Sequence, residues 1–381
     1  MPGRTVDLIA VGPCPRDPYD PAAPAWALAA GMATWGDHVR VLHPTGPPAP
    51  DPPEGVEVLP IEVPLRRPGA AVEGAALALA AGRRIRPDAE LIVRDPFGLG
   101  PLSLGRRHGG APPIAGVVRR VELTAYDGEP VHQHPPGLVG RVETWRDRRA
   151  VRRLESEALA EATRLFYDSP DLPTLLQREY GVDPRLLEWA PPPVRGGVPP
   201  SRAEARKALR LPLDVPVVAA PLSSEDPVLS GATRMVDAFR RVRSLFAGVR
   251  LVLVGGTAAT EPGLTTVPDR DTSSFERAFA AADVTIVAPS AVGFDAGAVL
   301  ALRAPCAVLA SPSVRFPMDP ERAVRVAPSE EPAELAAVLA ELLADPAERR
   351  LLAESGARFA QKFDPERVAA TVTAERRLLA A

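Results

Sequence analysis

The sequence lacks several features that would place a chain of this length in a specialised class. It has 2 cysteines among 381 residues, Cys14 and Cys306, too few for a secreted disulfide framework. No run of about 18 apolar residues occurs without a charge, so no transmembrane segment is expected. The apolar run within residues 5–12 is too short for a signal peptide. A reducing cytoplasm is therefore the expected location.

Lysine is nearly absent and occurs at positions 207 and 362, so arginine carries almost all of the positive charge. The formal net charge of -3 gives no reason to expect nucleic acid or an anionic membrane as a partner. The Gly-Gly pairs at 109–110 and 255–256 lack the spacing of a dinucleotide fingerprint or a Walker loop. No Gly-x-Ser-x-Gly motif is present, which argues against a hydrolase nucleophile elbow.

The sequence does contain a repeated alternation of short apolar strands and helix-forming segments. In the first half, "TVDLIAVG" (5–12) and "HVRVLH" (38–43) are predicted parallel strands flanking a helix over 23–37. The second half repeats this pattern with "VPVVAAPL" (215–222) and "VRLVLVGG" (249–256) around an amphipathic helix. This order predicts an α/β protein with two Rossmann-like doubly wound domains facing each other across a cleft.

The stretch "APPPVRGGVPPS" separates the two halves, because so much proline and glycine cannot form regular structure. After it, Ser201 and Glu204 are spaced as a capping box. The predicted division is an N-terminal domain (1–190), a linker (191–201) and a C-terminal domain (202–364), with a last helix (about 365–381) as a candidate to pack back on the first domain. Two facing crevices suit a two-substrate transferase. They also suit a hinged binding protein, which is normally secreted and carries a signal.

The order of the second half carries a recognisable pattern. It runs from "VDAFRRVRSLFAGVRLVLVGG" through "SFERAFAAADVTIVAPS" to "LAELLADPAERRLLAESGARFAQKFD", and the first half contributes "GDHVRVLHPTG". Together these segments resemble a retaining glycosyltransferase of the GT-B fold, in the large family 4-like group that uses nucleotide-diphosphate sugars. The resemblance implies a hexosyltransferase with an acceptor-side first domain and a donor-side second domain. It implies a sugar nucleotide as donor, a small-molecule or glycan acceptor, and no further cofactor.

The resemblance also implies a donor site whose usual side chains are missing here. The family follows the first strand of the donor domain with an Arg and then a Lys-Gly pair, cations that neutralise the diphosphate. Ala220 and Ser230 stand at those places. Two family glutamates, eight residues apart, bind sugar hydroxyls and the ribose, whereas Val292 and Leu300 occupy their positions. Each lost electrostatic donor typically costs about 3 kcal/mol of transition-state stabilisation.

The groups left to bind a donor are serines, backbone amides at strand and helix ends, one arginine and one aspartate. The Gly-Phe pair of the family is retained within this set. The predicted donor-binding residues are Ser223, Ser224, Ser230, Gly231, Arg234, Gly255, Ser290, Gly293, Phe294 and Asp295.

On the acceptor side, Glu122 and His132 are candidates for an acceptor base or orienting group. The alternative is an exposed loop without chemistry. His132 and His134 are spaced to chelate a metal, but no nearby Cys or third His supports such a site, so no metal is expected.

Two functions follow as hypotheses. The first is an active glycosyltransferase with a rewired donor site. The second is a catalytically silent pseudo-glycosyltransferase that supports a protein partner or binds a glycan. A third alternative is a different group transfer in the same cleft, such as non-glycosidic coupling of activated sugars.

Overall fold

The computed structural model describes residues 5–10, 14–18, 20, 22–45, 52–62, 90–94, 114–118, 152, 156, 159–160, 162, 164–167, 172–222, 231–256, 261–288, 296–314, 316, 320 and 322–379. The chain divides into two compact units. Unit 1 comprises residues 1–15, 24–193 and 365–381, and unit 2 comprises residues 16–23 and 194–364. The last helix therefore groups with the N-terminal half, and the short segment 16–23 groups with the C-terminal half.

Unit 1 is built on a parallel sheet with helices before and after its strands. Its strands are β1 (Thr5–Ile9), β2 (His38–Pro44), β3 (Val56–Ile61), β4 (Glu90–Arg94), β5 (Ile114–Val118), β6 (Arg164–Tyr167) and β7 (Leu187–Trp189). Their spatial order is β3-β2-β1-β4-β5-β6-β7. The helices described in this unit are α1 (Ala23–Thr34), α2 (Leu172–Tyr180) and α9 (Pro365–Leu379).

A buried ion pair favours one register between the neighbouring strands β1 and β2 of unit 1. Asp7 of β1 lies opposite Arg40 of β2, and Arg40 Nε and Nη2 donate to the two carboxylate oxygens at 2.6 and 2.7 Å. The side chains are 0% and 7% exposed. Because a shift of one residue would turn either group to the opposite face, leaving a buried charge at a cost of about 3–5 kcal/mol, the pair favours this register strongly.

The start of α9 packs closely on α1 within unit 1. A Cβ added at Gly31 would lie 2.1 Å from the carbonyl oxygen of Pro365, so only a glycine fits this contact. The indole Nε1 of Trp35 donates to the carbonyl oxygen of Glu366 at 3.0 Å. The absence of a side chain at position 31 therefore decides where the last helix begins to pack.

Unit 2 repeats the parallel architecture. Its strands are β8 (Val217–Pro221), β9 (Arg250–Val254), β10 (Leu264–Val267), β11 (Val284–Val287), β12 (Ala307–Ala310) and β13 (Arg325–Val326), in the order β10-β9-β8-β11-β12-β13. Its helices are α3 (Arg202–Ala208), α4 (Ala232–Arg243), α5 (Thr272–Ala281), α6 (Ala296–Arg303), α7 (Pro332–Ala344) and α8 (Pro346–Ala360). The strands β8, β11 and β12 are buried along their whole length, as expected for a parallel sheet covered on both faces.

Side chains cap the starts of helices α3 and α5. Ser201 and Glu204 form the predicted capping box of α3. The cap of α5 is Asp271, whose carboxylate accepts from the Ser274 amide at 2.8 Å. An ionised acceptor gains more from the positive helix end than a hydroxyl does.

In the part of the chain that is described, no helix has the length and apolar character to cross a membrane.

Candidate functional site

The carboxyl edge of the unit 2 sheet has the geometry of a ligand site. β8 lies at its centre, paired with β9 on one side and with β11 on the other. In open α/β sheets, ligands bind outside the carboxyl ends of the strands, where the strand order reverses. The candidate site therefore lies around the ends of β8 and β11.

Helix α4 begins beside this point. Gly231 precedes it in a left-handed conformation, with φ 69° and ψ 9°, and offers no capping side chain. A Cβ at Gly231 would lie 2.8 Å from the Cβ of Ala288, the residue after β11, so glycine allows the helix to start against that strand end. The first turn of α4 carries no acidic residue. Its first amides, which have no partner within the helix, and the helix dipole favour an anion there.

Arg234 lies in the first turn of α4 and faces a carboxylate from another part of unit 2. Its Nη1 is 3.3 Å from Oε2 of Glu330. The Glu330 Oε1 atom accepts from the hydroxyls of Ser311 and Ser313 and from the Ser313 amide. These hydrogen bonds, with the charge of Arg234, hold the pKa of Glu330 below its usual value although partial burial acts to raise it. The cluster joins the start of α4 to the turn that follows β12.

A second cluster joins the ends of β8 and β9 to the segment 16–23. Arg270 Nη1 donates to the carbonyl oxygens of Leu222 at 2.8 Å and Gly255 at 2.7 Å, and its Nε donates to Asp17 at 2.7 Å. Gly255 has φ 91°, and a Cβ there would lie 3.1 Å from Arg270 Nη1. The Gly255 amide donates to the carbonyl oxygen of Val267 at 2.9 Å. The glycine thus admits the guanidinium, while its amide extends the sheet pairing.

Three of the predicted donor-binding residues lie in the described residues, and all three are at this edge. Gly231 and Arg234 stand together at the start of α4, whereas Gly255 stands with Arg270 at the end of β9. The remaining predicted site residues lie outside the described residues: Glu122, His132, Ser223, Ser224, Ser230, Ser290, Gly293, Phe294 and Asp295. Their roles stay predictions.

Sequence reasoning missed Arg270 and Glu330. Arg270 follows β10, a short strand that was not predicted because "LTTV" is half polar, so nothing placed the arginine at a strand end. Glu330 lies two residues before α7 and resembles an ordinary helix-start carboxylate. Leu300, in contrast, lies where an apolar side chain is expected: it is 1% exposed, in the core of unit 2.

In unit 1, His43 is a buried polar residue near the end of β2. It is 5% exposed, and its ring centroid lies 5.7 Å from that of Trp26. Burial lowers the pKa of His43, so the ring is neutral near pH 7. Its Nδ1 lies 2.8 Å from the carbonyl oxygen of Pro44, which can accept and never donate. The neutral ring therefore carries its proton on Nδ1 and leaves Nε2 as an acceptor.

The described residues contain no cluster of three His, Cys, Asp or Glu side chains able to hold a metal ion.

No protein-family model matches the chain, and no curated protein matches its sequence. Solved structures do match over the full length. Sucrose-phosphate synthase from Thermosynechococcus elongatus has a TM-score of 0.68 at 18% identity, covering 99% of each chain. WaaG, a glycosyltransferase involved in lipopolysaccharide biosynthesis, has a TM-score of 0.67 at 17% identity, covering 97% of this chain and 99% of its own.

HepE from Anabaena, solved in complex with UDP, has a TM-score of 0.65 at 14% identity and covers 98% of this chain and 99% of its own. The chain has the GT-B fold. The predicted fold class, two Rossmann-like doubly wound α/β domains, is thereby confirmed. In this GT-B chain, the uncapped start of α4 and the side chains of Arg234 and Arg270 lie at the carboxyl edge of the second sheet.

Proposed function

We propose that this GT-B protein transfers a glycosyl group from a nucleotide-diphosphate sugar to an acceptor, with the donor bound at the carboxyl edge of unit 2. The observation that carries the proposal is Arg234 in the first turn of a helix that starts at the strand-order reversal without a capping side chain. Structural neighbours add support, since HepE has been solved with UDP and with UDP-glucose.

The chemistry asks for positive charge at this place. Breaking the glycosidic bond of the donor leaves a nucleoside diphosphate, whose growing negative charge needs cations or oriented amides. Arg234 supplies one cation, and the first amides of α4 point along the helix axis toward the same region. One well-placed donor of this kind is worth about 3 kcal/mol, or roughly a hundredfold in rate. A single arginine can thus replace part of what the missing family cations provide.

The experiment is a calorimetric titration with the diphosphates of uridine, guanosine, adenosine and thymidine, followed by their sugar conjugates. We expect at least one to bind, and Arg234→Gln to weaken that binding about tenfold or more, as expected for a lost charge-assisted contact. Arg241→Gln is the matched control, because it removes the same charge from the exposed far end of the same helix. If no nucleotide binds the wild-type protein, the proposal is wrong.

A second function is favoured by one observation. Leu300 is 1% exposed within the core of unit 2, so its position offers no group to a sugar nucleotide, although the resemblance places a ribose-binding carboxylate there. This favours a catalytically silent protein that binds a glycan or supports a partner. A protein that binds none of the sugar nucleotides but binds a glycan would support it. Acceptor-dependent release of the diphosphate would refute it.

A further inference from the structure

Arg234 and Glu330 form an ion pair in which the two side chains are held in place to different degrees. Arg234 is 51% exposed, and within the described residues its ion pair is the single 3.3 Å contact with Glu330. Exposed pairs with one such contact contribute little to stability, because water and side-chain entropy offset the attraction. The arginine side chain can therefore leave Glu330 at small cost.

Glu330, by contrast, does not depend on Arg234. Its side chain is 29% exposed, and its Oε1 atom receives the hydroxyls of Ser311 and Ser313 together with the Ser313 amide. Hydrogen bonds from three donors keep a carboxylate both ionised and oriented. Oε2 is the atom that faces Arg234. The acceptor is consequently fixed in place, while the guanidinium is the partner that can move.

A diphosphate is the kind of ligand that can take the arginine away. It carries more negative charge than a carboxylate and can accept two parallel hydrogen bonds from a guanidinium. A neutral sugar gains nothing from the exchange, and a singly charged ligand gains less. The exchange therefore favours a polyanion over other ligands of the same shape.

We propose that Arg234 and Glu330 form an anion gate, in which Glu330 holds the guanidinium until a diphosphate displaces it. The proposal rests on the proposed function, because it assigns regulation to the same donor site. Glu330 acts as an internal competitor for the arginine, and Ser311 and Ser313 keep this competitor in position after the exchange. Glu330 thereby sets the affinity and charge selectivity of the site.

The test is a calorimetric titration of UDP and of inorganic pyrophosphate into wild-type protein and variants. Glu330→Gln keeps the shape and removes the competing charge, so we expect both ligands to bind about two- to fivefold more tightly, which corresponds to the strength of an exposed ion pair. In an Arg234→Gln background the same substitution should change nothing. Glu331→Gln is the matched control, since it removes one charge from the adjacent exposed residue and should leave affinity unchanged.

The outcomes separate the two proposals. If UDP binds the wild-type protein and Glu330→Gln binds it equally or more weakly, the gate is wrong and the donor-site proposal stands. If neither UDP nor the diphosphates of guanosine, adenosine and thymidine bind the wild-type protein, the proposed function is wrong, and pyrophosphate then decides the gate. Tighter pyrophosphate binding by Glu330→Gln that depends on Arg234 supports the gate, whereas unchanged or absent pyrophosphate binding overturns it.

Discussion

Replacing Arg270 by methionine should destabilise unit 2 far more than replacing Arg240, an exposed arginine whose hydrogen bonds go to side chains. Methionine keeps most of the apolar stem of the side chain and removes its donors. The substitution leaves two main-chain carbonyl oxygens, of Leu222 and Gly255, and the Asp17 carboxylate without the guanidinium. The arginine side chain is 19% exposed, so water replaces these contacts poorly.

The magnitude follows from the three hydrogen bonds. Each contributes about 1 kcal/mol net, and a buried carbonyl left without a donor costs about 1–3 kcal/mol, so the free energy of unfolding should fall by about 2–4 kcal/mol. Arg240→Met is the matched control. Arg240 also makes three hydrogen bonds, to Asp237 and Glu261, but it is 50% exposed and its partners are side chains rather than main-chain carbonyls.

The assay is urea unfolding followed by far-UV circular dichroism for both units and by tryptophan fluorescence for unit 1. The fluorescence is specific because all four tryptophans, at 26, 35, 145 and 189, belong to unit 1. A lower midpoint by circular dichroism is expected for Arg270→Met and no measurable change for Arg240→Met. Equal effects of the two substitutions, or a change below about 1 kcal/mol for Arg270→Met, would refute the reasoning about burial and main-chain partners.

Three further predictions test packing and ionisation. Gly31→Ala should lower the free energy of unfolding by about 3 kcal/mol in urea unfolding followed by tryptophan fluorescence, since its Cβ would lie 2.1 Å from the Pro365 carbonyl oxygen; a neutral result would contradict the packing of α9 on α1. Burial raises the pKa of the Cys306 thiol to about 11, so native protein should react with a disulfide reagent near neutral pH no faster than it unfolds, and rapid labelling that Cys306→Ser abolishes would count against this burial. Glu330 and Glu276 should show opposite pH dependence. The pKa of Glu330 is lowered, so this group contributes stability above about pH 4.5 that is lost as pH falls through its folded pKa. The pKa of Glu276 is raised by burial, so this group contributes stability below about pH 4.5 that is lost as pH rises through its folded pKa. Urea unfolding of the two Glu→Gln variants at about pH 4 and pH 7 measures this, with Glu330→Gln more destabilising at the higher pH and Glu276→Gln at the lower; the same sign for both would contradict it.

The candidate site was partly predictable. The family resemblance assigned Gly231 and Arg234 to the donor site, and their position after an apolar strand, at the start of an amphipathic helix, placed them near a strand end. Glu330 and Arg270 were not predictable, because each meets its partners across large separations in sequence. Arg234 and Glu330 are 96 residues apart, and Arg270 and Asp17 are 253 apart. No local pattern encodes such a contact.

The sequence by itself determined the alternation of strands and helices, the two doubly wound halves and the capping box at Ser201, because these depend on neighbouring residues and on hydrophobic periodicity. The tertiary structure alone decided that segment 16–23 belongs with unit 2, and it grouped the last helix with unit 1, which the sequence offered only as a candidate placement. It also decided which carboxylate holds Arg234. These features depend on packing between elements distant along the chain, where a glycine such as Gly31 or a turn such as 311–313 acquires its role from what lies against it.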